Sequence, residues 1–318
     1  VQVIRDGDEC PKPREGTVLT IGAYDGLHLG HRTVIAEVMR RAGAGRHRSA
    51  VVTFDRHPAQ VIRPDSAPRL LTDLDQKLEL LGATGVDYVV VVHFDETRAL
   101  ESAEDFVRTV LVGCLNVKDI VVGEDFHFGH RRGGDVALLA EMGRGLGFQV
   151  HGHSLVGEDG QPARDDEQVS STAIRRALHH GRLDSANRML GRPHEMRGPV
   201  VHGDGRGREL GFPTANVAIT ETMLMPSEGI YAGHLVRERN GERLPAAIYV
   251  GRRPTFHDED AMVLVEVHVL DFAGDLYGEP VRVQFEHRIR GDRRFDSVEE
   301  LAAQLSRDCD EARRLLLR

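Results

Sequence analysis

The strongest constraint on the fold is a change of rhythm part-way along the chain. In the first half, five short β-rich runs at 17–22, 50–54, 88–93, 119–123 and 148–153 alternate with helical patterns. The stretch 30–41 sets Val34, Ile35 and Val38 on one side. The stretch 72–81 opens on Thr72 and Asp75 as a capping pair. The stretch 102–114 opens on Ser-x-x-Asp and carries Phe106, Val107, Val110 and Leu111 at helical spacing. Strands that alternate with helices and are apolar on both faces predict a doubly wound parallel sheet.

After about Gly191 the alternation stops. Runs at 196–202, 230–237, 246–251, 263–270 and 281–287 read as strands with no helix between them, and Gly, Pro and Asn punctuate the joins. An antiparallel barrel closes such a set without leaving free edges. One long helix ends the chain: Ser297-Val-Glu-Glu300 is a capping box, and Val298, Leu301, Leu305, Cys309, Ala312 and Leu316 form its apolar stripe, which makes Cys309 a core residue. The join falls near 182–195, giving domains at 1–186 and 187–318. Two domains also suit a length of 318 residues.

Charge narrows the partners. The chain has 41 basic and 50 acidic residues, a net charge of −9, which argues against a nucleic-acid binder. Only Lys12, Lys77 and Lys118 are lysines, and no Gly-Lys-Ser/Thr occurs, so a phosphate-loop NTPase of the usual kind is excluded. Phosphates would have to be held by Arg, His, hydroxyls and backbone amides. The apolar stretch 86–92, broken by Asp87, is too short to span a bilayer. With no basic-then-apolar opening segment, the expected location is the cytoplasm, away from any membrane. Cys10, Cys114 and Cys309 are widely spaced and fit neither a disulfide framework nor a zinc knuckle. The pattern specifies no oligomeric state.

The first run leads into Gly22-Ala-Tyr-Asp25-Gly26-Leu-His28-Leu-Gly30-His31 and then a helix. A glycine-rich turn between a strand and a helix N-terminus offers free amides and a positive dipole end to an anion. His28 and His31, three apart, can face the same phosphate; the structural alternative makes one a cap and the other a packed surface residue. Further on, Ser170-Ser171-Thr172-Ala-Ile-Arg175 offers hydroxyls and a guanidinium where another helix begins, although Ser and Thr are also ordinary N-caps.

Together the two clusters resemble the nucleotide signatures of FMN adenylyltransferase, the first module of prokaryotic bifunctional FAD synthetases. The segments Thr53-Phe-Asp55-Arg-His57-Pro58, Leu71-Thr72 through Lys77, and Val122-Gly-Glu-Asp125-Phe126-His-Phe128-Gly129 match as well, so the resemblance covers most of 17–180. It implies a Rossmann-like nucleotidyltransferase fold that transfers AMP from ATP to FMN, yielding FAD and pyrophosphate. FMN phosphate is already a nucleophile at neutral pH, so the site must align reactants and stabilise charge rather than supply a base. On this resemblance His28 and His31 take the α/β bridge, and Ser171, Thr172 and Arg175 take the distal phosphates. Gly22, Asp25, Gly30 and Asp125 complete the nucleotide set. Phe54, Phe126 and Phe128 are candidate flavin walls, or core aromatics beside strands. Two departures stand out: Tyr24 replaces a usual Phe, and Arg56 a common Pro.

In the second half, Gly203-Asp-Gly205-Arg-Gly207-Arg208-Glu-Leu-Gly211-Phe212-Pro213-Thr214-Ala215-Asn216 is the most specific stretch. Its glycine spacing is not that of a dinucleotide fingerprint. A glycine-rich hairpin would account for the glycines but not for two oxygen-bearing side chains two residues apart, which suit Mg²⁺ beside phosphates. This stretch resembles the riboflavin kinase module of the same enzymes. Pro226 through Ala232, Gly251-Arg-Arg-Pro254-Thr255-Phe256, Val265-Glu266-Val267-His268, Asp271 through Gly278 and Arg290 through Phe295 follow in order. The resemblance implies a six-stranded antiparallel barrel with a C-terminal helix. It also makes Glu266 the base on the riboflavin 5′-hydroxyl, Thr214 and Asn216 the Mg²⁺–ATP ligands, and Gly203, Gly205, Gly207 and Arg208 part of a loop over the phosphates. Alternation with Val265 and Val267 is also what a solvent-facing Glu266 would show.

The expected activity is therefore riboflavin plus ATP to FMN, then FMN plus ATP to FAD, with Mg²⁺. Riboflavin, FMN and ATP are the partners, ATP as co-substrate and FMN and FAD as products. The alternatives are one live module with the other kept as scaffold, or a non-catalytic flavin- or nucleotide-binding regulator.

Overall fold

The computed structural model describes residues 1–154, 156–157, 161, 163, 168–203, 205–252 and 263–316. The chain divides into two compact units, Val1–Ser171 and Thr172–Arg318. The motif residues Arg253, Pro254, Thr255 and Phe256, and Asp204, lie outside the described residues.

The first unit is built on a parallel six-stranded sheet of β1 (Gln2–Arg5), β2 (Thr17–Ile21), β3 (Arg48–Phe54), β4 (Tyr88–Val92), β5 (Val117–Gly123) and β8 (Gln149–His153), in the order β1-β4-β3-β2-β5-β8. The two-residue strands β6 (His127–Phe128) and β7 (Gly134–Asp135) form a separate small ladder between β5 and β8. Both faces of the sheet are covered: Leu19, Val52, Val92 and Ile120 enter one core, Val51, Val89 and Val91 another. Burial on both sides is why these strands read as unbroken Val/Ile runs. The chain leaves β2 for β3 on one side and later returns from β4 to β5 on the other. That reversal opens a crevice beyond the C-terminal ends of β2 and β5, the usual ligand position in such sheets.

Several local expectations change. β1 was not anticipated; it is four residues long and pairs with β4 at the sheet edge. The helix Leu74–Gly82 is capped by Asp73, whose carboxylate accepts the Gln76 N–H at 2.7 Å, rather than by Thr72. The helix that Ser102 caps runs as Ala103–Phe106 and continues as a π-helix over Val107–Cys114. The cysteine expectation is corrected as well. Cys10 and Cys114 form a disulfide across 104 residues of sequence, and Cys309 alone is free and buried. Sequence spacing hid the pair because the strap after β1 runs back past the end of the π-helix, where the Lys12 N–H donates to Cys114 O at 2.9 Å.

The second unit is a closed antiparallel barrel of β9 (His194–Val201), β10 (Ala215–Val217), β11 (Gly229–Arg237), β12 (Arg243–Arg252), β13 (Val263–Val269) and β14 (Pro280–Arg290), ordered β10-β13-β12-β11-β14-β9. Five of the six strands were legible; β10 is three residues inside the glycine-rich motif. The expectation of no helix between strands is corrected by a single turn, Arg206–Glu209. Met196, Tyr231, Ile248, Val250, Val267 and Phe285 are buried. Helix Val298–Leu316 packs Cys309 and Ala312 against Ala232, Ala247 and Leu270. Its box forms, with Ser297 Oγ accepting the Glu300 N–H at 3.1 Å, but Val298 is 60% exposed and leaves the expected stripe.

Candidate active sites

The first candidate site begins where β2 ends. The turn passes through left-handed backbone at Tyr24 (φ 51°), Gly26 (φ 84°) and Leu27 (φ 36°). Glycine adopts this freely; tyrosine and leucine do so at a cost that the surroundings must offset. Buried contacts from elsewhere hold it. Asp25, 5% exposed, accepts N–H groups from Leu71 (2.9 and 3.1 Å) and Thr72 (3.0 Å) and the Thr72 hydroxyl (3.2 Å). Thr72 Oγ1 in turn accepts the Gly26 N–H at 3.0 Å. Lys77 Nζ donates to Ala23 O at 3.3 Å and Phe54 O at 2.6 Å, and Ser171 Oγ donates to Asp25 O at 2.9 Å. The extra hydroxyl of Tyr24 finds Thr20 Oγ1 at 2.6 Å, so this departure is accommodated in the core.

His28 caps helix Leu29–Gly45: its Nδ1 accepts the His31 N–H at 3.3 Å, and the two rings stack 3.6 Å apart. Capping and facing a common ligand are therefore compatible. Burial holds His31 well below the ordinary imidazole pKa, with the charges of His28 and Lys77 acting the same way. Its Nδ1 is buried without a hydrogen-bond partner among the described residues.

The other expected residues fall as follows. A side chain at Gly30 would crowd Val169 O and the His28 ring, at 3.1 and 3.2 Å; one at Gly22 would meet the Tyr24 ring at 3.1 Å. Asp125 is exposed in the turn after β5, beside the switch-point crevice. Phe54 meets Phe94 edge-on at 5.3 Å and Phe126 stacks on Phe128 at 5.4 Å; all three pack partly buried against the sheet core. Arg56 sits 3.6 Å from Asp55. Thr172 and Arg175 belong to the second unit, in the first turns of helix Ser171–His179.

The second candidate site lies on the outer wall of the barrel. Val265 and Val267 are fully buried, so Glu266 between them stands on the opposite face, half-buried. In register, Asn216 on β10, Glu266 on β13 and Tyr249 on β12 form one row. Thr214 Oγ1 donates to Glu266 at 3.3 Å. Asn216 is 7% exposed, and a side chain at Gly203 would strike its amide, so glycine is required there. Gly205 (φ 75°) turns the chain into the helical turn that carries Gly207 and Arg208. A cavity of about 280 Å³ opens alongside, lined by Arg208, Thr214, Val267, Val269, Phe272 and Tyr277. Of Thr214, Glu266 and Asn216, Thr214 lines the cavity; its hydroxyl, the Glu266 carboxylate it meets and the amide of Asn216, paired in register with Glu266, are hard oxygen donors.

Three residues here escaped the sequence reading. Lys77 and Thr72 fell in a quoted segment with no role attached. Tyr249 carried no motif; burial and the carboxylates of Asp292, Glu266 and Glu228 push its hydroxyl up to about 12. Only register could have found it.

A parallel nucleotide-type sheet with a histidine-bearing turn and a closed barrel with hard oxygen donors suit two nucleotide-dependent transferases, a nucleotidyltransferase and a small-molecule kinase. Comparison with known proteins agrees. The FAD synthetase family model matches residues 10–173 and the riboflavin kinase model residues 190–316. Among curated relatives, the bifunctional riboflavin kinase/FMN adenylyltransferase of Escherichia coli K12 is 41% identical over 93% of this chain and 91% of its own. That of Haemophilus influenzae is 36% identical over 98% of each. A solved structure from Streptococcus pneumoniae, described as a macrolide-efflux protein, superposes with a TM-score of 0.85 at 29% identity, covering 98% of this chain and 99% of that one. Among the described residues no helix is long and apolar enough to cross a membrane. The chain belongs to the bifunctional riboflavin kinase/FMN adenylyltransferase family and carries both of its domains.

Proposed function

We propose that the turn after β2 is the FMN adenylylation site and that Glu266, Thr214 and Asn216 form the riboflavin kinase centre. The observation that carries this reading is the row of Asn216, Glu266 and Tyr249, with Thr214 bonded to Glu266 at the edge of a cavity. In the kinase, Glu266 takes the proton of the riboflavin 5′-hydroxyl as that oxygen attacks the γ-phosphorus of ATP and ADP leaves. Thr214 and Asn216 would hold Mg²⁺, which would offset the ATP charge when bound. Gly203, Gly205, Gly207 and Arg208 cover the phosphates.

In the adenylyltransferase a phosphate oxygen of FMN attacks the α-phosphorus of ATP and pyrophosphate leaves. His28 and His31, with Gly22 and Gly30 allowing close approach, orient that phosphate chain. Ser171, Thr172 and Arg175 serve the distal phosphates, Asp25 holds the turn, and Asp125 borders the nucleotide. Phe54, Phe126 and Phe128 wall the flavin. We place the functional domains at 1–186 and 187–318 and the enzyme in the cytoplasm, acting on riboflavin, FMN and ATP and not on nucleic acid. The test is a time course with riboflavin, ATP and Mg²⁺ in which FMN appears first and FAD second. Glu266→Ala should stop FMN formation yet adenylylate supplied FMN; His28→Ala should let FMN accumulate. Loss of both activities from either variant overturns the assignment.

A further inference from the structure

Lys77 is the only buried lysine, at 7% exposure, beside an exposed Lys12 and a half-buried Lys118. Its two carbonyl partners are Phe54 O, the last residue of β3, and Ala23 O, in the turn that follows β2. An ammonium has three N–H donors and a full charge; two carbonyls occupy two donors and neutralise nothing. Among the described residues no carboxylate lies within 4 Å. Asp25 and Asp55 are the acids whose fields reach it, and the Asp25 carboxylate is already bonded to Leu71 and Thr72. Burial lowers the Lys77 pKa to about 8 against the pull of those two aspartates, so the ammonium form prevails at pH 7. A buried cation without a counter-ion is costly and is kept where a charged ligand completes it. His31, held neutral, supplies no charge here.

We propose that Lys77 is a positioning residue of the adenylylation site, its ammonium providing the fixed positive charge that a substrate phosphate over the turn completes. The inference rests on the adenylylation reading of that turn. It gives the bonds to Ala23 and Phe54 a second purpose, since they hold the charge at one place before substrate arrives, the condition under which electrostatic stabilisation is strongest.

With three lysines in the chain, ¹³C-labelled lysine gives three side-chain signals that titrate separately in the intact wild-type protein. FMN, ATP and pyrophosphate are added singly, with riboflavin as the phosphate-free control. At least one phosphate ligand should raise the Lys77 midpoint by more than one pH unit, riboflavin should leave it in place, and the ligand that acts identifies the phosphate. If the His28 and His31 ring signals respond to these ligands while Lys77 does not move, the proposal fails and the site stands. If none of the three responds, the site reading fails and takes the proposal with it. In parallel, Lys77→Met should lower kcat/KM for FMN adenylylation about a hundredfold with riboflavin phosphorylation unchanged, and Lys77→Arg should recover most of it. A Lys77→Met enzyme within threefold of the parent, or a folded Lys77→Arg as inactive as Lys77→Met, overturns the role of the charge.

Discussion

Asp25→Asn isolates what holds the strained turn. The carboxylate receives three donors, the Leu71 and Thr72 amides and the Thr72 hydroxyl. An asparagine of the same shape can present its oxygen where Oδ1 stands, but its NH₂ then faces the Leu71 N–H, now 3.1 Å from Oδ2. Each remaining bond also falls from charge-assisted to neutral, a loss of about 1 kcal/mol apiece, so three donors give about 3 kcal/mol. That is roughly a hundredfold in the equilibrium between the held and released turn. Because the left-handed Tyr24 and Leu27 relax once released, the adenylylation-competent population falls by up to that factor. Apparent affinity for each ligand that needs the held turn drops with it. The expected result is a lower kcat/KM for FMN adenylylation, KM values for ATP and FMN rising together, and a lower urea midpoint for the first unit. Riboflavin kinase activity of the same molecules should be unchanged, which serves as the internal control. A variant with a parental midpoint and only the KM for ATP raised would refute the reasoning and make Asp25 a direct nucleotide contact.

Two further outcomes concern stability. His194 is 1% exposed and its Nε2 is unpartnered among the described residues; burial, then Arg192, lowers its pKa to about 4 against a hydrogen bond to the Leu224 backbone, which raises it. A histidine kept neutral in the fold but free to protonate when unfolded contributes stability in full above pH 6.5, and this is lost as pH falls towards 4, about 3 kcal/mol in all. Urea midpoints of the second unit should therefore fall between pH 6.5 and 4, and a His194→Gln variant should flatten that slope; an unaltered slope would refute the assignment. Reducing Cys10–Cys114 frees a loop spanning 104 residues, for which chain entropy sets an upper limit of about 4.7 kcal/mol. Dithiothreitol should lower the thermal midpoint of the wild type and leave Cys114→Ser unaffected, and equal responses would show that the bond contributes nothing. In a reducing cytoplasm the pair is expected to exist as thiols.

Legibility followed the range of the forces involved. β3 and β4 read clearly because burial on both faces demands an apolar run within the strand itself. β1 and β10 did not, because four and three residues carry too little pattern and owe their pairing to partners far along the chain. Asp25 was readable as part of a nucleotide signature, but its bonds go to Leu71 and Thr72, 46 and 47 positions away. Sequence separation likewise hid Lys77, whose partners on β3 and in the turn lie 23 and 54 positions away. Glu266 was readable by resemblance, whereas the alternation around it could not separate surface from site. The closed barrel supplies the missing information by setting Asn216 and Tyr249 in register on either side.

The two sites differ as their reactions require. A riboflavin hydroxyl must lose a proton to attack, and in the proposed kinase centre the barrel supplies a carboxylate, Glu266, bonded to the Thr214 hydroxyl and in register with Asn216. FMN phosphate attacks without losing one, and neither candidate at the turn after β2 is a comparable base: burial holds the His31 pKa well below the ordinary imidazole value, which makes it a weak proton acceptor, and Asp25 is bonded to amides. What that turn must withstand is negative charge growing on ATP inside a protein of net charge −9, where the global field repels the substrate. Attraction has to be local and fixed in place. One buried ammonium held by two backbone carbonyls meets that requirement with a residue type used only three times in the chain.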